Sequence, residues 1–299
     1  MSLILNDELK KIKIIAAPQR SKRPHAHSHI GCPFDPLNEQ MTPPATMEVA
    51  TFENPKTNWR VRVFENKFPA LTLREKFEKN KNITGAYGSQ EVIVETSIHE
   101  EQFENFTDGQ LSLVFDTYVN RFKHMSALLK VEYVFLGKNH GKEAGASIAH
   151  EHSQIFALPF VPDVVKSEFA PKQCAFCKLL KKNTKKSIVF QNAKFAVVRP
   201  DVARFQLECW IIPKKHVAGF TDFSSATGLT FMKTLRETIR RVKKHTENYN
   251  VAFHPSAKNV DGHFHVEVYP LTEHLAMLEL GANVFINSMD AKTALKKLK

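Results

Sequence analysis

An internal repeat constrains the fold of this 299-residue chain more than any other feature. The segments "VRVFENKFPAL" (61–71) and "SIVFQNAKFAVVRP" (187–200) each contain an alternating apolar strand, an Asn-containing turn and a second strand. A cysteine motif precedes each segment, "CPFD" at 32–35 and "CAFC" at 174–177. The two copies are offset by about 115 to 125 residues, a usual size for one domain. The chain is therefore predicted to hold two related domains.

Each copy of the repeat continues with an amphipathic helix. The spacing of apolar residues predicts a first helix with Asp108 as its N-cap, reaching Leu129, and a second that begins at Ser224 or Ser225 and reaches Val242. After each helix come a strand ending in Lys-Asn and a strand with paired histidines, "AHEHSQIFA" and "GHFHVEVYP". This order predicts an α+β fold of tandem duplicated domains, each an open, mainly antiparallel sheet with a helix packed on one face.

The two domains are predicted to meet in the polar stretch "PDVVKSEFAPKQ" (162–173), which two prolines frame. Residues 1–165 would form an N-terminal catalytic domain, and 166–299 a C-terminal domain that completes the substrate site and holds a structural metal. The last residues, "NSMDAKTALKKLK", predict a final helix capped by Ser288 or Asp290.

The net charge of +11 favours anionic partners such as nucleotides and sugar phosphates. Most lysines lie scattered on helix-like stretches, and aromatic residues are not interleaved with them, so nucleic acid is not the expected partner. No segment approaches the roughly 20 apolar residues of a membrane span, and the N-terminus has no secretory signal pattern. We therefore expect a cytoplasmic protein with no membrane partner, whose four cysteines are thiols.

The stretch "GASIAHEHSQIFALPF" (145–160) concentrates the candidate chemistry of the first half. Strand geometry places His150, His152 and Gln154 on one side, and Glu151 and Ser153 on the other. A lone histidine on an apolar strand is most often structural, but here paired histidines recur in both halves, and in the first they follow a Gly-Ala-Ser turn. The pattern favours a metal site or a phosphate site.

In the second half, Cys174 and Cys177 form a C-x-x-C pair that supplies two zinc ligands from one tight turn. Tetrahedral zinc needs two more donors, and His216 and His263 are the best-placed histidines. A C-x-x-C pair that binds nothing is the alternative. We predict a zinc site at these four residues.

When the two copies of the repeat are aligned, the corresponding residues of the first half are Cys32, Asp35, His99 and His150. Asp35 stands where the second cysteine should be, and a carboxylate is an acceptable though harder zinc ligand. Alternatively, a histidine of "PHAHSHIGC" completes the tetrahedron, or the site has lost its metal. These histidines are His25, His27 and His29.

If a metal holds His150, then His152 is left to face whatever the small-residue turn binds. A neutral imidazole is a good nucleophile toward phosphorus, and the backbone N–H groups of a turn such as Gly145 to Ser147 can cradle phosphate oxygens. Gln154 can donate its amide hydrogens to a phosphate oxygen without adding charge. A third histidine there would suit a hydrolase. Glutamine indicates a covalent nucleotidyl-histidine that waits for a phosphate acceptor.

"GASIAHEHSQ" resembles the Gly-x-Ser-x-x-His-Pro-His-Gly/Ser-Gln signature of the galactose-1-phosphate uridylyltransferase family, the transferase branch of the histidine-triad superfamily. The likeness extends over nearly the whole chain. The other motifs that carry it are "IIAAPQRSKRP", "FENKFPAL", "EVIVETSIH", "LGKNHGKEAGAS", "VARFQLECWIIPKKH" and "HFHVEVYP…LELGANVFIN".

The resemblance implies a ping-pong nucleotidyltransferase, a homodimer with two zinc sites, acting on a nucleotide sugar and a sugar 1-phosphate or phosphate. His152 would be the nucleophile and Gln154 would hold the transferred phosphoryl group. His150, His99 and Cys32 would be ligands of the first zinc. The remaining substrate contacts would be Asn139, Gly145 and Ser147 to phosphates, Arg20 and Arg23 near the diphosphate, Asn66 near the nucleoside and Glu279 at the hexose.

The chain departs from the family signature at Glu151, where proline is usual; there the carboxylate would either be solvated or raise the basicity of a neighbour. Asp35 in place of a zinc cysteine is a second departure. The second metal could also follow another family arrangement, although the intact C-x-x-C favours the set given above and a likeness to the ADP-glucose phosphorylase branch. The alternative set is Glu168, His254, His263 and His265.

Three functions compete on this sequence. The leading hypothesis is transfer of a nucleoside monophosphate between a nucleoside-diphosphate sugar and a sugar 1-phosphate through nucleotidyl-His152. The alternative enzyme is a phosphorylase of ADP-sugars or dinucleoside polyphosphates that uses inorganic phosphate. A zinc-stabilised protein that binds nucleotide or RNA without turnover is the third, and steep salt dependence of RNA binding would identify it.

Overall fold

The structure is a computed structural model that describes residues 2–22, 31–50, 59–74, 82–169, 173–182 and 187–299. Its strands are β1 (Leu3–Asp7), β2 (Ile12–Ala16), β3 (Ala45–Ala50), β4 (Trp59–Glu65), β5 (Ile83–Gly85), β6 (Ser89–Val94), β7 (Tyr133–His140), β8 (His152–Leu158), β9 (Ile188–Gln191), β10 (Phe195–Val198), β11 (Cys209–Pro213), β12 (Tyr249–His254) and β13 (His265–Pro270). Its helices are α1 (Asp108–Ser126), α2 (Asp163–Phe169), α3 (Ala175–Lys182), α4 (Ser225–Lys243), α5 (Met277–Ala282) and α6 (Ala291–Leu298).

Strands from both halves form one ten-stranded sheet in the order β3-β4-β6-β8-β7-β12-β13-β11-β10-β9. Its strand pairs are antiparallel, and β7 joins the halves by pairing with β12, with Asn139 opposite Asn250. Read from this junction outward, each half presents five strands in the same spatial arrangement, as expected for a duplication. Strands β2, β1 and β5 form a separate small sheet.

The predicted α+β fold is confirmed, but the two repeat segments quoted above lie one strand out of register. Sheet position matches β4 with β10, whereas the sequence alignment matched the segment of β4 with the segment that begins at β9. The difference arises because residues 66–71, after the Asn turn, form no strand in the first half. The division at 165 and 166 stays a prediction, since one sheet runs through both halves.

The two long helices begin at side-chain caps. Thr107 accepts a hydrogen bond from the Gln110 backbone N–H at 3.1 Å, and Ser224 accepts one from Thr227 at 3.3 Å. The expected N-cap at Asp108 is therefore wrong by one residue. Asp108 is instead the first helical residue, where its carboxylate pairs with two cations of α4, Lys233 and Arg236.

The other helix boundaries follow the sequence with one exception. Helix α1 stops at Ser126, and Leu129, expected within it, is 80% exposed. Asp290 caps α6, because its Oδ1 accepts from the backbone N–H groups of Lys292 and Thr293, at 3.0 Å each. Of the helices in the described ranges, none combines the length and apolar character needed to cross a membrane.

Helices α1 and α4 pack against each other and against one face of the sheet. A single apolar core fills this layer, with side chains from strands of both halves such as Ile155 and Val266 and from both helices, such as Leu111 and Leu235. The opposite face carries a separate apolar cluster in each half. The two long helices therefore cover one face of the sheet, and a site can form on the part of the opposite face that stays open.

Gly228 allows the close approach of α4 to α1. A Cβ at this position would overlap the buried ring of Phe115 in α1. We expect Gly228→Ala to lower the free energy of unfolding by about 1 to 3 kcal/mol by overpacking, although alanine is the better helix former. Urea denaturation would measure this. In Gly109→Ala the new Cβ would lie 3.8 Å from Thr107, so this control should change stability by less than about 1 kcal/mol; equal effects of both variants would contradict the packing argument.

Candidate active site and metal centres

Strand β8 divides its side chains between the two faces of the sheet. Ser153 lies on the helical side, where its Oγ is 2.8 Å from the Tyr118 hydroxyl, and Ile155 lies in the main core. His152 and Gln154 lie on the opposite side and line a cavity of about 390 Å³. The predicted alternation is therefore present, and it turns the candidate nucleophile toward the cavity.

His152 is held in one tautomer. Its Nδ1 lies 2.8 Å from the backbone carbonyl oxygen of His150, and because a carbonyl only accepts, Nδ1 carries the proton. The lone pair is consequently on Nε2. Burial lowers the pKa of His152 to about 4, so the ring is neutral at neutral pH. The Phe34 ring packs edge-on against it, with ring centroids 5.2 Å apart.

Polar groups gather beside this histidine. Gln154 Oε1 accepts hydrogen bonds from Gln90 Nε2 at 2.8 Å and Asn66 Nδ2 at 3.4 Å. Asn66 and Ser147 line the same cavity as His152. The other walls are mostly apolar and include Pro33, Phe34, Met41, Pro43, Phe64, Val92 and Ile148.

The remaining predicted substrate residues are divided among three places. Arg20 lies behind the cavity, where Nη1 donates to the Phe68 carbonyl at 2.9 Å and to Gln90 Oε1 at 3.2 Å. Gly145, with φ of 82°, lies in the turn beside Asn139. Glu279 is not brought to His152, since it lines a separate depression beside Phe285. Outside the described residues lie Arg23, His25, His27 and His29.

The four predicted donors of the first metal site converge. Asp35 Oδ1 lies 2.6 Å from His99 Nδ1 and 3.0 Å from His150 Nδ1, and Cys32 Sγ lies 4.0 Å from His150 Nδ1. His150 Nε2 is 2.8 Å from the Thr96 carbonyl oxygen, so its proton is on Nε2 and Nδ1 faces the cluster. A carboxylate thus occupies the place of the missing cysteine.

The second set also converges. His263 Nδ1 lies 3.4 Å from both Cys174 Sγ and Cys177 Sγ, and His216 Nδ1 lies 3.4 Å from Cys177 Sγ. Tetrahedral zinc separates its sulfur and nitrogen ligands by about 3.5 Å. The Pro213 carbonyl oxygen is 2.9 Å from His263 Nε2 and fixes its tautomer as Thr96 does for His150. Geometry and donor type therefore fit zinc.

A third group of possible donors differs from the alternative set expected from the sequence. Glu168, His254 and His265 do lie together, but their fourth neighbour is Glu267, because His263 is turned toward the C-x-x-C pair. His254 Nδ1 lies 3.0 Å from Glu168 Oε2, and the two histidine rings stack with centroids 4.8 Å apart.

Glu151 is buried, so the expectation that it is solvated is wrong. On the helical side of β8, it pairs with Lys138 and lies 2.8 Å from His140 Nδ1. Burial alone would raise the pKa of Glu151, but these two partners hold it well below its usual range. Lys138 also pairs with Glu95 at 2.6 Å. The sequence signal for this network was charged letters within or directly beside apolar strands, in "VETS", "LGKN" and "AHEH".

The second half repeats the histidine geometry without the cavity. His265 Nδ1 lies 3.1 Å from the His263 carbonyl oxygen, as His152 lies against His150. The ring of His265 is, however, fully buried, because Phe176 of α3 covers it with ring centroids 4.1 Å apart. Helix α3 therefore closes the face that is open in the first half.

Comparison with known proteins adds to this geometry. The sequence model described as "Galactose-1-phosphate uridyl transferase, N-terminal domain" matches residues 5–162. The protein belongs to the galactose-1-phosphate uridylyltransferase family. As a member of this family it is a nucleotidyltransferase, and the family predicted from its motifs is confirmed.

Family members resemble the chain over most of its length. ADP-glucose phosphorylase of Arabidopsis thaliana is 26% identical over 303 residues, covering 92% of this chain and 86% of that protein. Galactose-1-phosphate uridylyltransferase of Thermotoga maritima is 27% identical over 310 residues, covering 96% and 94%. The crystal structure of a related Arabidopsis thaliana protein, described as galt-like, is 26% identical with a TM-score of 0.78, covering 90% of this chain and 91% of that one.

Proposed function

We propose that the protein moves a nucleoside monophosphate between a nucleoside-diphosphate sugar and a sugar 1-phosphate through a covalent intermediate on His152. The observation that carries this proposal is the orientation of His152. Its Nδ1 proton is committed to the His150 carbonyl, which leaves the Nε2 lone pair in a cavity that also holds the Gln154 amide. Family membership supports the same chemistry.

The proposed reaction has two displacements at the α-phosphorus. His152 Nε2 attacks, an N–P bond forms, and the P–O bond to the sugar phosphate breaks. The leaving phosphate needs no proton from the enzyme, which agrees with an amide instead of an acid at Gln154. A phosphate oxygen of the acceptor then attacks the same phosphorus opposite Nε2, a new P–O bond forms, the N–P bond breaks and the neutral histidine is restored. The chain's contribution is positioning and hydrogen-bond donation to the phosphate, from Gln154, Ser147 and Asn139.

Transfer to inorganic phosphate is the second candidate. It is favoured by the convergence of Cys174, Cys177, His216 and His263, the set typical of members close to ADP-sugar phosphorylases, and by the likeness to ADP-glucose phosphorylase. The two reactions share the nucleotidyl-histidine and differ only in the acceptor.

Labelled nucleotide sugars test both candidates. The protein is incubated with UDP-glucose or ADP-glucose labelled in the α-phosphate, and the trapped protein is analysed for covalent label. Galactose 1-phosphate or inorganic phosphate is then added to the labelled protein, and the acceptor that discharges it identifies the reaction. Absence of covalent label with either nucleotide would contradict the mechanism.

The proposed zinc content is two per chain, one at Cys174, Cys177, His216 and His263 and one at Cys32, Asp35, His99 and His150. When bound, each ion would supply a structural cross-link; the first would hold the strand end that orients His152.

Elemental analysis tests these zinc sites. We expect Cys177→Ala and Asp35→Ala each to lower the zinc content by about one ion per chain, since each removes one of four ligands. The control Cys209→Ala removes a thiol buried outside both groups and should leave the content unchanged. If the wild type contained about one zinc ion per chain and Asp35→Ala did not lower this content, the first site would be contradicted.

We further propose a homodimer in which the segment 275–286 is covered. Its apolar side chains are exposed in the single chain: Leu275 by 45%, Met277 by 84%, Leu280 by 76% and Ile286 by 65%. Glu279 lies in the same segment, away from the cavity of its own chain, and we keep it as a proposed hexose contact. Light scattering of the purified protein measures the assembly, and a monomer at micromolar concentration would contradict it.

A cytoplasmic location is also part of the proposal. All four cysteines of the structure are free thiols. A reducing compartment keeps thiols available as metal ligands, which supports this location.

A further inference from the structure

The orientation of two side-chain amides decides whether this site attracts or repels a phosphate. An asparagine or glutamine can present either its NH₂ group or its carbonyl oxygen, and only partners of known type distinguish the two. Gln154 lines the cavity beside His152, and Asn139 lies beside Gly145 of the turn proposed to hold the phosphate. Each accepts a hydrogen bond from a second amide, Gln90 or Asn250, and neither of these two lines the cavity.

Gln90 is 1% exposed, and its partners fix which end faces which way. The backbone N–H of Ala70 donates to its Oε1 at 2.7 Å, and Arg20 Nη1 donates to the same oxygen at 3.2 Å. Both partners can only donate, so this atom is the oxygen. The NH₂ group of Gln90 therefore points to Gln154 and donates to its Oε1 at 2.8 Å. Gln154 is left with its own NH₂ group for the cavity.

Asn250 does the same for Asn139 from the other half of the chain. Its Nδ2 donates to the Ala144 carbonyl oxygen at 2.8 Å, and since a carbonyl only accepts, this atom is the nitrogen. The same NH₂ group donates to Asn139 Oδ1 at 2.8 Å, across the β7 and β12 pair that joins the halves. Asn139 Nδ2 then lies at the turn, 3.9 Å from where a Cβ on Gly145 would be.

We infer that Gln90 and Asn250 are positioning residues that turn the amides of Gln154 and Asn139 so that both present N–H groups to the transferred phosphate. The inference rests on the proposed function, because it takes a phosphate as the occupant of the cavity. Two neutral amides thereby provide donors of fixed direction without a cation. The duplicated half contributes one of them through Asn250.

Reversing the polarity of each second amide tests the inference. Gln90→Glu keeps an acceptor for Ala70 and Arg20 but has no hydrogen for Gln154, which then turns its carbonyl oxygen toward the phosphate. We expect kcat/KM for nucleotidyl transfer to fall by roughly 10- to 100-fold. Asn250→Asp should act in the same direction through Asn139. Gln191→Glu, which adds the same charge at an exposed position of β9, is the matched control.

A double-mutant cycle separates orientation from general damage to the fold. In a Gln154→Ala background, Gln90→Glu should lower the rate by less than about 3-fold, because the residue it orients is gone. A loss of 10-fold or more in that background, or a rate within 2-fold of wild type in the single variant, would overturn the inference.

Binding of ADP, measured by calorimetry in parallel, keeps the test independent of turnover. We expect Gln90→Glu to weaken binding by about 10-fold in the wild-type background and not in the Gln154→Ala background. If the wild type carries no covalent label with any nucleotide sugar, the proposed function fails, and the binding cycle still decides the orientation. If the label forms but the effects of Gln90→Glu and Gln154→Ala are additive in both the rate and the ADP-binding measurements, the proposed function stands and the orientation inference fails.

Discussion

Replacing His152 with glutamine is expected to abolish covalent nucleotide labelling and to lower nucleotidyl transfer by at least about 10⁴-fold. Glutamine has similar size and keeps a donor for the His150 carbonyl, but it has no nitrogen lone pair comparable to Nε2. The loss should be in kcat, because the cavity that binds the nucleotide is otherwise unchanged. Rapid-quench measurement of labelled protein, followed by mass spectrometry of its peptides, would locate the label.

The duplicated half supplies the control for this experiment. His265 makes the same hydrogen bond to the preceding histidine of its strand as His152 does, but Phe176 covers it. His265→Gln should therefore retain labelling at the wild-type level after correction for any folded fraction lost. If the label persisted in His152→Gln and disappeared in His265→Gln, the nucleophile would lie in the second half, and the assignment to His152 would be wrong.

Local spacing was sufficient to predict the faces of β8 and the Cys174 and Cys177 pair, and the more distant donors of both groups were predicted from the repeat and from coordination chemistry. A strand has a period of two, so the separation of His150, His152 and Gln154 from Glu151 and Ser153 follows from the letters alone. The Cys174 and Cys177 spacing requires a tight turn, and tetrahedral coordination then asks for two more donors. Such features depend on a few neighbouring residues and on coordination chemistry.

Contacts between distant segments could not be predicted in the same way. The pairing of β7 with β12 places Asn139 opposite Asn250, yet 110 intervening residues separate them and the letters of neither strand identify its partner. The strand register of the repeat was also missed, because a short Asn turn looks alike whether or not a strand follows. Glu279 was assigned from the resemblance, and nothing local indicates that it lies away from His152 in its own chain.

Two buried polar residues behind the site, Gln90 and Lys138, were not predicted from the sequence. Gln90 in "SQEVIV" and Lys138 in "VFLGKN" resemble solvent-facing positions of an alternating pattern. Both are buried, and their side-chain partners come from other segments of the chain: Ala70, Arg20 and Gln154 for Gln90, and Glu95 and Glu151 for Lys138. A rule that questions any polar residue inside a central strand would have found them, but it would not have supplied their partners.

Loss of Lys138 should strongly destabilise the protein. Its Nζ lies 2.6 Å from Glu95, pairs with Glu151, and donates to the His152 carbonyl oxygen at 3.3 Å. These three charged side chains are each 5% exposed or less. Burial would lower the pKa of Lys138, but the two carboxylates raise it above its usual value, so the lysine stays charged.

Lys138→Met is expected to lower the free energy of unfolding by about 3 to 5 kcal/mol, because it leaves two buried carboxylates without their cation. Urea denaturation followed by circular dichroism measures the change. Lys233→Met is the matched control: its partner Asp108 is half exposed, so the loss there should be below about 1 kcal/mol.

Removing all three charges of the network together distinguishes the destabilisation caused by unpaired buried charges from the destabilisation caused by lost packing. In the triple variant Lys138→Met, Glu95→Gln, Glu151→Gln, no net charge remains in the network, and most of the lost stability should return, since replacing a buried ion pair is far less costly than breaking it. A triple variant no more stable than Lys138→Met would mean that the lysine acts through its packing. Because Lys138 also donates to the carbonyl of His152, recovered stability with persistently low nucleotidyl transfer would show that the lysine holds the nucleophile's strand in place as well as neutralising its neighbours.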